Sequence, residues 1–422
     1  MNNTKTYIFL WICLFPCLLF SQVSEINLEE CQKKAKDNYP LIKQYRLISL
    51  SENYNLDNLI KNYLPQVSLN GQASYQTQVT KIPVKVPGIN VPEMNKDQYK
   101  ITLDVSQLIW DGGATRSQSE ITKASSALEK EKTEVNLYTI REKVNQLYFG
   151  ILTIDKQLKQ LDVLTSDLQS NYNLVIAMLK NGVAMVSDLD LIKVELLDTE
   201  QNKIELTTLR SAYIKMLSLF VHEELNETTH LQIPDKNLSI QEEINRPELR
   251  MYDKQYSLYK VQESAIKAKN MPKFSLFAQG GVGRPGLNML ESDFKTYAMG
   301  GIRLSWNFGN LYTKKNEYKL LEIDRNAVDV QRETFLFDTK VQLTQIQNEI
   351  LKYEKLMKKD EEIISLRNRV KKAGESKYKN GIYKMNDLIG DINSENQARV
   401  TQSLHEMQFL QSIYNYKNIQ GN

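Results

Sequence analysis

His222, His230 and His405 are the only histidines among the 422 residues, and none has a second ligand at the spacing a metal site needs. Gly281-Val282-Gly283-Arg284-Pro285-Gly286 fits the G-x-G-x-x-G letters of a phosphate cradle. It ends a strand pattern and enters a loop, with Pro285 inside it and no helix opening after it, so its glycines serve strand curvature or a turn. Asn226-Glu227-Thr228 is a sequon by letters only, and no nucleophile motif is present. The sequence therefore predicts no enzyme, no cofactor site and no metal site. The polar groups that stand out instead are two carboxylates in short matching turns, Ser187-Asp188-Leu189 and Asn386-Asp387-Leu388. Ser187 and Asn386 suit helix N-caps, with each aspartate in the first turn, where the helix dipole favours negative charge.

Each turn needs a long helix to position it. Between Gly113 and Lys180 there is no proline and only Gly150 as a glycine. Leu137, Ile140, Val144, Leu147, Ile151, Ile154, Leu158 and Leu161 step by three and four along a heptad seam. Leu343, Ile346, Ile350, Tyr353 and Met357 keep the same rhythm between Leu311 and Lys379. A helix of that length is a rod on the order of 100 Å, and it needs neighbours of similar length to bury its seam. Gly182 and Gly381 end the rods, as glycine does at a helix C-terminus.

The matching turns belong to an internal repeat. Asn38-Tyr39-Pro40 is echoed by Asn245-Arg246-Pro247, and Pro65 by Pro272, both at an offset of 207. Leu108-Ile109-Trp110-Asp111-Gly112-Gly113 answers Leu304-Ser305-Trp306-Asn307-Phe308-Gly309, and Lys180-Asn181-Gly182-Val183 answers Lys379-Asn380-Gly381-Ile382. Period-two alternation marks two strands in each copy. Val67, Leu69, Ala73 and Tyr75, then Tyr99, Ile101, Leu103 and Val105, form apolar faces opposite polar ones. Phe274, Leu276, Ala278 and Val282, then Ile302, Leu304, Trp306 and Phe308, do so in the second copy. Roughly ten residues each, with aromatics near the ends, suits tilted membrane strands. Four strands are too few to close a barrel, and lipid tolerates no open edge, so a membrane barrel requires two copies for eight strands or three for twelve. The alternative is two hairpins folded onto the helices of a soluble domain.

The net charge of +3 gives no reason to expect nucleic acid. Lys5 and the apolar run Tyr7 to Phe20 read as a secretory signal peptide, with an uncleaved anchor or lipidation at Cys17 as alternatives. Cleavage near Ser21 leaves Cys31 as the only cysteine, so no internal disulfide is expected. The chain then divides into a signal peptide (1–21), an N-terminal helical segment (22–64), a first strand pair (65–111) and a first helical hairpin (112–220). An irregular belt (221–245), a returning helix (246–271), a second strand pair (272–309), a second hairpin (310–415) and a tail (416–422) complete it. The mature N-terminal helix is expected to supply the return limb that the second copy lacks.

These landmarks, in this order and spacing, resemble the TolC family of outer-membrane channel proteins over essentially the whole mature chain. The carriers are Asn245-Arg246-Pro247-Glu248-Leu249, Pro65 and Pro272 before the strands, Trp110-Asp111-Gly112-Gly113, and the turns Gly182 to Leu189 and Gly381 to Leu388. The resemblance implies a mostly α protein with a membrane β-barrel part. It implies a homotrimer in which four strands per protomer build a barrel in the outer membrane, continued as a periplasmic tunnel of coiled-coil helices. It further implies an exit duct for an inner-membrane RND or ABC transporter, reached through a periplasmic adaptor. The adaptor-docking positions map to Gly182, Val183, Ser187, Asp188 and Leu189, and to Gly381, Ile382, Asn386, Asp387 and Leu388. Asp387 matches a first aspartate ring at the aperture, where three copies would favour cations. The second ring falls on Gly390, with Asp391 one place off; Tyr378 matches a locking tyrosine, and the family's arginine is replaced by Tyr383. The alternative is a periplasmic coiled-coil structural or adaptor protein without a barrel. Drugs, metal ions, siderophores and polypeptides all remain open as exported solutes.

Overall fold

The structure is a computed structural model that describes residues 26–79, 94–236 and 243–421. The signal-peptide expectation and the first strand-connecting loop, with Pro83, Pro87, Gly88 and Pro92, lie outside the described residues. In chain order the elements are α1 (Leu28–Asn38), a 3-10 turn (Pro40–Lys43), α2 (Gln44–Lys61), β1 (Gln66–Tyr75), β2 (Asp97–Trp110) and α3 (Ala114–Lys180). Then come α4 (Val186–Val221), α5 (Pro247–Lys269), β3 (Lys273–Arg284), β4 (Lys295–Ser305), α6 (Asn310–Lys379) and α7 (Met385–Gln420). Among the described residues no helix is long and apolar enough to cross a membrane. The chain forms two compact units, one from the stretches ending at Lys34, Val144–Lys236 and Leu356–Leu410, the other from Ala35–Lys143, Asn237–Lys355 and Gln411–Asn422.

The second unit holds one antiparallel sheet of four strands in the order β1-β2-β3-β4. The register puts Val67, Val105 and Ala278 on one face, as it does Leu69, Leu103 and Gly280, while Ser68, Asp104, Gln279 and Met299 share the other. Most of the large side chains on the apolar face are exposed, among them Val67, Leu69, Ile101, Leu103, Leu276, Ile302 and Leu304. The opposite face is not wholly polar, since Phe277 and Met299 lie on it. A register shift between Leu108 and Trp110 turns Trp110 onto the face of Phe274, with the two rings 5.9 Å apart. A bulge is the device that re-aims a side chain at a strand end.

Below β2 the chain must leave a strand and start a helix of 67 residues within three positions. Asp111 does this by accepting from the backbone N–H of Gly113 (2.9 Å) and of Thr115 (2.6 Å), which satisfies donors a helix start leaves unpaired. Gly112 has φ +73, and a Cβ on it would lie 2.5 Å from the Met271 Cβ, so both conformation and space demand glycine. In the second copy Asn307 takes the part of Asp111, accepting from Gly309 N–H at 3.0 Å.

The Asn245-Arg246-Pro247-Glu248 landmark fastens the chain's C-terminus. Arg246 pairs with both oxygens of Glu248, and its guanidinium lies 4.7 Å from the Tyr138 ring centre and 5.8 Å from that of Phe335. Tyr138 donates to Asn418 O at 2.6 Å, and Asn245 N–H donates to Gln420 O at 2.7 Å.

In the first unit α4 ends at His222 in the left-handed conformation, and an irregular stretch follows. Arg210 holds that stretch, donating to Glu227 O at 2.8 Å and Thr229 O at 3.0 Å while pairing with Asp155. Ile26 forms a parallel bridge with Leu231, and the buried Tyr148 hydroxyl sits 2.8 Å from Ile26 O and 2.7 Å from Gln232 O. Cys31 is free and buried, and burial pushes its thiol up to about 12. Gly150 is explained by close packing, because a Cβ there would meet the Tyr213 ring at 2.6 Å.

Candidate functional site at the two helix turns

The turn after α3 and the turn after α6 close with the same backbone hydrogen bonds. Gly182 N–H donates to Leu179 O and Val183 N–H to Met178 O; Gly381 N–H donates to Tyr378 O and Ile382 N–H to Lys377 O. This paired pattern is a Schellman motif, and it requires the left-handed glycine that both turns have, at φ +73 and +72. The returning helices begin two residues earlier than Ser187 and Asn386 would set them as caps. Met185 is the cap residue of α4, and α7 starts at Met385, so Ser187 and Asn386 lie inside the first turn. The capping acceptor is the aspartate: the Asp188 carboxylate takes the Met185 N–H at 3.1 Å, which ties a negative charge to the positive end of the helix dipole.

Around these turns the first unit has a continuous core of Leu164, Leu168, Val175, Ile192, Met385 and Leu388, among others. Tyr378 belongs to it. Burial pushes its phenol up to about 12, and the Asp188 carboxylate beside it adds to the shift, without closing a hydrogen bond of normal geometry. Tyr378 of one turn therefore faces the aspartate of the other, within one chain.

Asp391 and Tyr383 also meet. The Tyr383 hydroxyl donates to Asp391 Oδ2 at 3.1 Å, and that bond holds the phenol above its ordinary value. Lys377 lies 5.7 Å from the same ring. Gly374 makes the room, since a Cβ there would stand 2.6 Å from Asp391 Oδ2 and 3.3 Å from the Tyr383 ring. Asp387 is exposed and its carboxylate forms no hydrogen bond or ion pair among the described residues, though its charge reaches the Tyr383 hydroxyl.

One turn back from Gly374, Lys371 bridges three helices. Its ammonium is 2.7 Å from Asp167 and 3.5 Å from Glu395, and Arg399 holds the other Glu395 oxygen. Burial alone would pull Lys371 down, but the two carboxylates outweigh it and hold the ammonium above its ordinary value. Sequence reasoning missed Gly374, Lys377, Lys371 and Glu395. The available signal was Gly374, the only glycine within α6, at a position where glycine costs helix stability.

Residues 33–214 match the family described as outer membrane efflux protein. Three solved structures share the fold. The outer-membrane channel OprN is 15% identical, with 93% of this chain and 89% of that chain covered and a TM-score of 0.68. The CmeC outer membrane channel of Campylobacter jejuni is 14% identical, with 93% and 85% covered and a TM-score of 0.63. The open state of the MtrE outer membrane channel of Neisseria gonorrhoeae is 14% identical, with 93% and 89% covered and a TM-score of 0.64. The resemblance to the TolC family is borne out. The TolC-like architecture accounts for the long helices and the small antiparallel sheet together. No curated protein sequence matches this chain.

Proposed function

We propose that this TolC-like chain is one protomer of a homotrimeric exit duct that passively conducts solutes across the outer membrane. The observation that carries the reading is the sheet itself. Among the described residues β1 and β4 each pair on one side only, and the exposed apolar face has no cover. Unpaired strand edges and bare apolar faces suit a closed barrel in lipid, and three copies supply twelve strands. The helices support the same closure. Tyr312, Leu320, Ile323, Val330 and Phe337 on α6 are exposed, as are Leu47, Tyr54 and Ile60 on α2. Burying each such side chain against a neighbouring protomer stabilises by about 1.5–3 kcal/mol, too much to leave in water along two helices.

On this reading the long helices form a periplasmic tunnel, and the two turns dock a periplasmic adaptor that links the duct to an RND or ABC transporter. Gly182, Val183, Ser187, Asp188 and Leu189 form one docking turn; Gly381, Ile382, Asn386, Asp387 and Leu388 form the other. Tyr378 beside Asp188 and Tyr383 bonded to Asp391 fasten the aperture in its closed form, and three exposed Asp387 carboxylates line it. Isolation of outer membranes tests the duct. Resistance to carbonate extraction and a heat-modifiable oligomer are expected; recovery as a soluble periplasmic monomer would sink the proposal in favour of a coiled-coil structural or adaptor protein.

A further inference from the structure

The polar face of the sheet is strongly unbalanced in charge. Lys100, Lys273, Lys295 and Arg303 stand on it, against Asp104 as the only carboxylate among the described strand residues of that face. Asp104 is enclosed by neutral donors: Asn70 at 2.7 Å, Thr102 at 2.9 Å, and Gln279. These amide and hydroxyl dipoles point their hydrogens at the carboxylate and weaken the field it presents to the space in front of the sheet. The cations are held differently. Arg303 lies over the Phe277 ring at 4.9 Å, and Lys100 over the Tyr297 ring at 5.7 Å. An aromatic face fixes a cation in place without cancelling its charge. Phe277 is itself seated on Gly301, where a Cβ would meet the ring at 3.2 Å, so the register provides a flat platform for the guanidinium. Lys295 has an exposed partner, Glu291 at 3.5 Å, and Lys100 is within electrostatic reach of Asp104, which leaves Arg303 and Lys273 as the cations without a carboxylate among the described residues.

We propose that this face makes the barrel wall anion-selective, with Arg303 on its Phe277 platform as the principal selectivity residue. The inference rests on the duct reading, in which the polar face lines the lumen and every charge recurs three times. It assigns the barrel a preference opposite in sign to that of Asp387, so an anionic solute class is favoured at the exit. The width of a twelve-stranded lumen decides how to look for the effect. The Debye length is about 8 Å at 0.15 M salt and about 30 Å at 0.01 M, so wall charges govern the whole cross-section only in dilute salt.

The test is the reversal potential of the full-length trimer in planar bilayers under a gradient from 10 to 100 mM KCl, in an Asp387→Ala background that removes the aperture charge. Chloride preference is expected in Asp387→Ala. Adding Arg303→Gln is expected to lower the chloride-to-potassium permeability ratio roughly two- to threefold, and adding Arg303→Lys to preserve it. A ratio unchanged by Arg303→Gln, or one lost equally with Arg303→Lys, overturns the assignment. If the wild-type trimer itself forms no channels, the duct reading falls and this inference with it.

Discussion

Gly182 and Gly381 turn the chain through the same left-handed conformation and lead into helices that start at equivalent residues, yet Val186 is 61% exposed where its counterpart Met385 is 2% exposed. The same holds around them. Val183 and Met185 are bare in the first turn, whereas in the second Leu388 is fully buried and only Ile382, at 76%, presents a large apolar side chain. The carboxylates are reversed: Asp188 is engaged with the Met185 N–H and the Tyr378 phenol, while Asp387 is left in solvent. One backbone thus supports an apolar turn with an occupied aspartate and a packed turn with a free one. The repeat supplies geometry twice; the side chains make the two turns differ.

The largest expected effect follows from the buried member of the pair. Met385→Ala should cost 2–4 kcal/mol, the usual range for deleting a buried side chain of that size, read by urea unfolding followed by circular dichroism (about 2–4 kcal/mol). Val186→Ala should stay within about 0.5 kcal/mol, because its side chain is already in water. Comparable losses in the two variants would mean that the turns are not packed differently.

The aspartates should separate just as clearly in conductance. Asp387→Ala is expected to weaken block by hexamminecobalt(III) in planar bilayers on the order of tenfold, since the proposed duct gathers three free carboxylates where its aperture narrows. Asp188→Ala should change block less than about twofold, its charge being spent on the helix start. Equal weakening would remove the division between a structural and a gating carboxylate.

Much of this was legible in the sequence, and the reason is local. The repeat, the strand alternation and the glycines that end α3 and α6 are encoded by residues within a few positions of each other. What failed to show depends on contacts between distant residues. Ser187 and Asn386 have the right chemistry for caps, but Met185 N–H is met by Asp188 and the helix begins two residues sooner. Asp391 falls one place off the ring position by spacing, and only the fold shows that Tyr383, eight residues away, donates to it over Gly374. Phe277 breaks the polar face of β3 by its letter alone, and only the strand register shows that Gly301 seats it beneath Arg303. The Tyr378 and Asp188 pairing joins residues of different repeat copies, which no spacing within either copy records.

That pairing predicts a pH dependence with a definite sign. A tyrosine near 10 in the unfolded chain and about 12 when folded contributes stability that is complete below pH 10 and is lost as pH rises through 12. Wild type should therefore lose stability relative to Tyr378→Phe between pH 10 and 12, with unfolding midpoints of the two proteins converging or crossing in that window. Parallel curves would show that Asp188 and burial do not act on the Tyr378 phenol.

The smallest effects come from the glycines, where the two turns should behave alike. No atom lies within 4 Å of a Cβ built on either Gly182 or Gly381, so alanine at each meets only the backbone penalty of the left-handed conformation, about 1 kcal/mol. Gly374→Ala is different in kind. Its Cβ would intrude on Asp391 Oδ2, so it should disturb the Tyr383 bond and shift conductance gating as well as stability. Matching losses for Gly182→Ala and Gly381→Ala, with altered gating only in Gly374→Ala, would place the functional difference between the turns in their side chains. A loss at Gly381 much larger than at Gly182 would place it in the backbone instead, and the comparison would have to be redrawn there.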